Sequence, residues 1–78
     1  MSELDRVRWQ CRRGMLELDL LLHRFLDRHF AGLTPDEVKR FEEVLCLQDG
    51  DLWQFLSGRA DIGDERLAPI VRMIRGDL

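Results

Sequence analysis

The residues best placed to do something specific are Arg12-Arg13-Gly14-Met15-Leu16-Glu17: two cations, a glycine, and a carboxylate. A guanidinium is a planar fork that grips a carboxylate through two parallel hydrogen bonds. Arg13 and Glu17 around a Gly14 turn would form a stiff corner offering both charges to a partner at fixed separation. Arg6, Arg8 and Trp9 lie just upstream and would widen the patch, and Trp and Arg are enriched at interface hot spots. Such chemistry holds another polypeptide; it makes and breaks no bonds. The competing reading is a plain joint. In it Arg13 caps one helix, Gly14 turns the chain and Glu17 stabilises the start of the next helix.

Other chemistry finds less support. His23 and His29 are six apart and project from different sides of a helix, whereas metal-binding histidines four apart share a face. A ligand set shared with Cys11 or Cys46 would need the fold to gather them. Ser2 and Ser57 are the only serines, and neither sits in a nucleophile-elbow sequence. No phosphate loop and no GxGxxG is present, so no dinucleotide is held by the usual glycine turn. A helix-turn-helix would need exposed base-reading side chains, yet the chain has no asparagine and its later arginines are interleaved with acids. The net charge of −3 also argues against general nucleic-acid binding.

These residues must be positioned by a small body. With 78 residues there is one domain, with room for a modest core but little for a deep substrate pocket. Charge is uneven. Four arginines against two acids give the first 13 residues +2, leaving −5 for the rest of a chain whose total is −3. Two isolated cysteines outside any CxxC pair suggest reduced thiols. No apolar run reaches the ~18–20 residues of a membrane span, and no apolar targeting segment leads the chain, so the expected location is the cytoplasm.

Periodicity gives an all-α fold, a compact bundle of about five short helices. Residues 3–13 read as the first, with Leu4, Val7 and Cys11 on one face and Trp9 off it. The second runs from about Met15 to Phe30. Its Leu18, Leu21, Leu22, Phe25 and Leu26 match one helical face without a miss, while Leu16 and Leu20 point away. Those two are either covered by the first helix or left for a partner. Thr34-Pro35-Asp36-Glu37 is a capping box opening a third helix that continues to about Leu47 and buries Val38, Phe41 and Leu45. Asp49 is expected to cap a short fourth helix that Gly58 ends. A fifth carries Leu67, Ile70, Val71 and Ile74, and Pro69 predicts either a kink or an ill-formed first turn.

The run Trp9-x-Cys11-Arg12-Arg13-Gly14-Met15-x-Glu17-Leu18-Asp19 resembles the signature of the small flavinylation factors of succinate dehydrogenase, including their RGxxE motif. Asp49-x-Asp51-Leu52-x-x-Phe55-Leu56 is a second match, although Gly50 replaces the usual proline between the acids, and Trp53 and Phe55 share the role of the family's later Trp. Pro69 is also atypical. The resemblance implies a five-helix factor that binds the flavoprotein subunit of succinate dehydrogenase, or its fumarate reductase counterpart in some bacteria. The factor promotes covalent attachment of FAD to a histidine of that subunit. FAD then belongs to the partner, the factor holds no tightly bound cofactor, and it carries no catalytic residues of its own. Carried over by position, Arg13, Gly14 and Glu17 match the motif, Arg6 matches an interface arginine, and Asp19 supports the corner. Trp9 completes the expected contact set, and the free protein is expected to be a monomer. The rival implication is an antitoxin or regulator acting on a different protein, since bacterial members have also been described as antitoxins.

Overall fold

A computed structural model describes residues 2–76, and within them five α-helices follow one another with short joints. They are α1 (Glu3–Gln10), α2 (Leu16–His29), α3 (Pro35–Leu45), α4 (Asp49–Leu56) and α5 (Ala68–Arg75). A single 3-10 turn, Phe30–Gly32, extends α2. Among the described residues there is no strand. The radius of gyration, 11.4 Å, is close to the about 11.5 Å expected of a tightly packed chain of this length.

The core is built around α2. Leu18, Leu21, Leu22, Phe25 and Leu26 are all buried, as the periodic arc requires. They meet Val7 and Cys11 near α1, Val38, Phe41, Val44 and Leu45 of α3, Leu52 and Leu56 of α4, and Ile70, Val71 and Ile74 of α5. Phe25 and Phe41 stack with ring centroids 5.3 Å apart, joining α2 to α3 at the centre. α5 packs against α2, α3 and α4, and α1 lies against α3.

Local chemistry sets the helix starts. Ser2 caps α1 and Thr34 caps α3, each within a complete capping box closed by Asp5 and Glu37. Gly58 leaves α4 with φ +83°, and the Arg59 N–H reaches back to the Gln54 carbonyl at 3.0 Å.

Several boundaries differ from the sequence expectation. α1 stops at Gln10, not at residue 13, because the chain beyond Cys11 is drawn away by other partners of Arg13. α3 stops at Leu45, two residues short of Leu47. Asp49 is not the cap of α4. Gln48 holds that position without a side-chain hydrogen bond, and the Asp49 carboxylate is engaged with Arg13. At Pro69 the expected alternatives resolve to the second. The chain makes a turn in which Leu67 and Ala68 N–H both donate to the Asp64 carbonyl, and α5 begins only at Ala68. Pro69 then lies in the first turn, where its missing N–H leaves no helical bond unmade.

A candidate docking corner between the first two helices

The linker from Cys11 to Met15 forms the corner. Gly14 bends it with φ +81°, a left-handed conformation that L side chains resist. A Cβ built there would meet nothing within 4 Å, so the requirement is conformational, not one of space. Gly14 lies beyond the end of α1, so it turns the linker instead of capping the helix. α2 then starts after Met15, which offers no side-chain cap. Glu17 and Asp19 occupy the first turn, where negative charge favours the helix dipole.

Arg13 is the residue whose placement differs most from the sequence reading. Its backbone N–H donates to Asp19 Oδ1 at 2.9 Å. Its guanidinium turns inward and crosses to the joint between α3 and α4. Nε donates to Asp49 Oδ1 at 2.6 Å, Nη1 donates to the Leu45 carbonyl at 2.5 Å, and Nη2 donates to the Leu47 carbonyl. Only 14% of the side chain is exposed. Arg13 is therefore not the outward cation of the corner; in the linker that position belongs to the exposed Arg12. Arg13 neither caps α1 nor faces outward; it bolts the linker to the body. The last carbonyl of α3, at Leu45, and the Leu47 carbonyl beyond it are satisfied in the same stroke.

Glu17 is the group left outward. It is exposed and makes no side-chain hydrogen bond or ion pair with the described residues. Asp19 is half-buried and holds the Arg13 amide, as a supporting residue should. Arg6 is exposed and pairs with Glu42 of α3 at 2.8 Å. Arg8 pairs with Asp27 of α2, and this contact holds the Asp27 carboxyl below its ordinary value, through the hydrogen bond first and the charge second.

Beside the corner lies an apolar surface that none of the described residues covers. Trp9 is 68% exposed, Leu16 67% and Leu20 57%, so α1 does not fold over the two leucines. Leu16, Leu20, His23 and Asp27 follow one another at helical spacing along one strip of α2. A shallow recess of about 240 Å³ lined by Asp5, Arg8, Trp9, Arg12 and His23 joins that strip to α1. Arg12 lies over the Trp9 ring, 5.6 Å from its centroid, an attractive cation–π placement. A second recess, about 330 Å³, opens on the other side of Trp9 between Gln10, Arg12, Glu42, Leu45 and Cys46. Both are open troughs on the surface near Trp9.

Cys11 is buried, and its thiol is pushed up to about 12, chiefly by burial, against a smaller opposing pull from Arg13 and Arg8. A thiol held neutral is a poor nucleophile. Among the described residues no group of three or more His, Cys, Asp or Glu could hold a metal ion. No helix among them is long and apolar enough to cross a membrane.

Of the six residues singled out in the sequence, Arg13, Gly14, Glu17 and Asp19 lie in the linker and the first turn of α2, while Arg6 and Trp9 lie on α1. The structure also adds Asp49 to the corner. The acid was visible in its own short motif, but no local signal pointed across 36 residues to Arg13.

Comparison with known proteins shows which family the chain belongs to. A family model described as the flavinator of succinate dehydrogenase matches residues 5–77. The chain is 41% identical over 73 residues to the FAD assembly factor SdhE of Legionella pneumophila strain Paris, covering 94% of this chain and 91% of that one. It is 40% identical over 75 residues to the FAD assembly factor SdhE of Methylococcus capsulatus, covering 96% and 90%. With the SdhE of Idiomarina loihiensis it shares 38% identity over 74 residues, 95% of this chain and 82% of that one. The chain belongs to the family of flavinators of succinate dehydrogenase.

Proposed function

We propose that this protein is an assembly factor that docks on the immature flavoprotein subunit of succinate dehydrogenase and promotes covalent attachment of its FAD. One observation carries the reading. The chain of a flavinator family presents an outward carboxylate, Glu17, on a rigidly bolted corner, with uncovered Trp9, Leu16 and Leu20 beside it. Burying each of those apolar side chains against a client would contribute about 1.5–3 kcal/mol, which offsets part of the cost of association and leaves the rest to polar contacts such as those of Glu17.

In this reading the reactive groups belong to the client. Its histidine and flavin must be brought into line, and correct alignment alone removes several kcal/mol of a barrier. The factor supplies a shaped surface and no catalytic residue; its buried, neutral Cys11 fits that role. FAD stays with the client. The flavoprotein of fumarate reductase is a second client of the same kind, and the reaction takes place in the cytoplasm, before the client joins its complex. The free factor is a monomer.

Affinity capture with the tagged protein, followed by mass spectrometry, tests the partner. Recovery of a dehydrogenase or fumarate reductase flavoprotein supports the assignment. Recovery of an unrelated toxin-like protein and no flavoprotein would replace it with the antitoxin reading. A stoichiometric yellow flavin on the purified factor alone would contradict the statement that FAD belongs to the client.

A further inference from the structure

Asp49 stands in a motif, Asp49-x-Asp51-Leu52, to which docking by the corner gives no work. The structure joins that motif to the corner. The Arg13 guanidinium has three acceptors, the Asp49 carboxylate and the Leu45 and Leu47 carbonyls, and all three belong to the α3–α4 joint. A planar fork held by three acceptors has one orientation. At its backbone end the same residue is held by Asp19 of α2. The linker is therefore pinned from two sides. Gly14 carries no side chain and Met15 provides no cap, so the direction of the turn rests on those pins together with the burial of Cys11 and the packing of Met15 on the core.

We propose that Asp49 is a positioning residue for client docking. Through Arg13 it sets the attitude of the Gly14–Glu17 turn, and so the direction in which Glu17 meets the client. The two carbonyls alone would leave the guanidinium charge unanswered, and a charged acceptor gives the shorter and stronger bond. Asp49 is itself 42% exposed, so the pair adds little to overall stability. Its value lies in direction. This inference rests on the docking reading above, and its test separates the two.

The full chain is compared as wild type, Asp49→Asn, Asp49→Ala, Arg13→Ala, the Asp49→Ala/Arg13→Ala double variant and Glu17→Ala. Each is titrated onto the isolated flavoprotein subunit for Kd, and covalent flavin is read again with the factor in saturating excess. Circular dichroism and the Gly14 amide resonance report fold and corner geometry. Asp49→Ala and Arg13→Ala should each weaken client binding by about tenfold, and the double variant by no more, because one unit is removed in every case. The Gly14 amide should shift in the Asp49 variants while helix content stays constant, and saturating factor should restore flavinylation. Asp49→Asn keeps an acceptor without the charge, and its loss should fall between wild type and Asp49→Ala; it carries the test if the alanine variant does not fold. Wild-type binding by the Asp49 variants beside a weakened Glu17→Ala would overturn the positioning role and leave the docking reading standing. Losses that multiply to about a hundredfold in the double variant would also overturn it, since the residues would then act independently. Normal binding by Glu17→Ala would remove the docking reading itself.

Discussion

Gly14 and Cys11 show how differently two neighbours in one motif can act. Gly14 sits at φ +81° with open space around it, so any L side chain fits but bends the backbone against its preference. Gly14→Ala should lose about 1 kcal/mol of unfolding free energy in urea, and Gly14→Asn less, because asparagine tolerates the left-handed region. Cys11 is fully buried, and Cys46 is exposed. At pH 8 a thiol reagent should label Cys46 promptly and Cys11 only as fast as the protein opens. The buried thiol also makes stability pH-dependent. Its folded pKa of about 12 lies above the ordinary 9.0, so its contribution is complete below pH 9 and declines as pH rises toward 12. Thermal melts from pH 8 to 12 should show a progressive fall that Cys11→Ala or Cys11→Ser lacks. At this scale the sequence singled out residues by type and spacing but not where they point. Arg13 and Glu17 both stood out by type and spacing. That Arg13 turns inward depends on carbonyls and a carboxylate that the chain delivers 32 to 36 residues later.

Among the elements, α2 and the start of α3 were legible because their causes are local. An apolar arc repeating every 3.6 residues dictates its own buried face, and Thr34 and Glu37 close a box within four residues. Thr34→Ala should cost about 1 kcal/mol through the lost cap, and Leu22→Ala about 2–5 kcal/mol through a cavity in the centre of the core; denaturant unfolding measures both. The ends of α1 and α3 and the cap of α4 were misread for one shared reason. Arg13, Asp19 and Asp49 form a tertiary network that takes the residues a local rule would use as caps. Val44 was missed in the core of α3 although it lies three residues after Phe41, on the same face.

For the molecule as a whole, the inventory of exposed large apolar side chains separates fold from function. Among the described residues seventeen hydrophobic side chains are buried together, while Trp9, Leu16 and Leu20 remain outside beside the corner. Residues that stay exposed contribute little to the folded state. Leu16→Ser with Leu20→Ser should therefore change stability by about 0.5 kcal/mol or less per site, while weakening capture of the flavoprotein client. Arg6→Ala should behave similarly, because its pair with Glu42 is exposed. The all-α architecture followed from the sequence through periodicity; the client followed from resemblance, since no arrangement of charges on a small surface names its partner.

In the proposed function a bolted corner presents Glu17 to a flavoprotein whose own groups perform the attachment. The most direct test is covalent flavin on the isolated succinate dehydrogenase flavoprotein subunit, read by in-gel fluorescence after incubation with FAD and either the wild-type factor or Glu17→Ala. Wild-type factor should raise the covalent flavin well above the level without factor, and Glu17→Ala, with unchanged circular dichroism, should leave it near that level. Equal flavinylation by the two proteins would contradict the account.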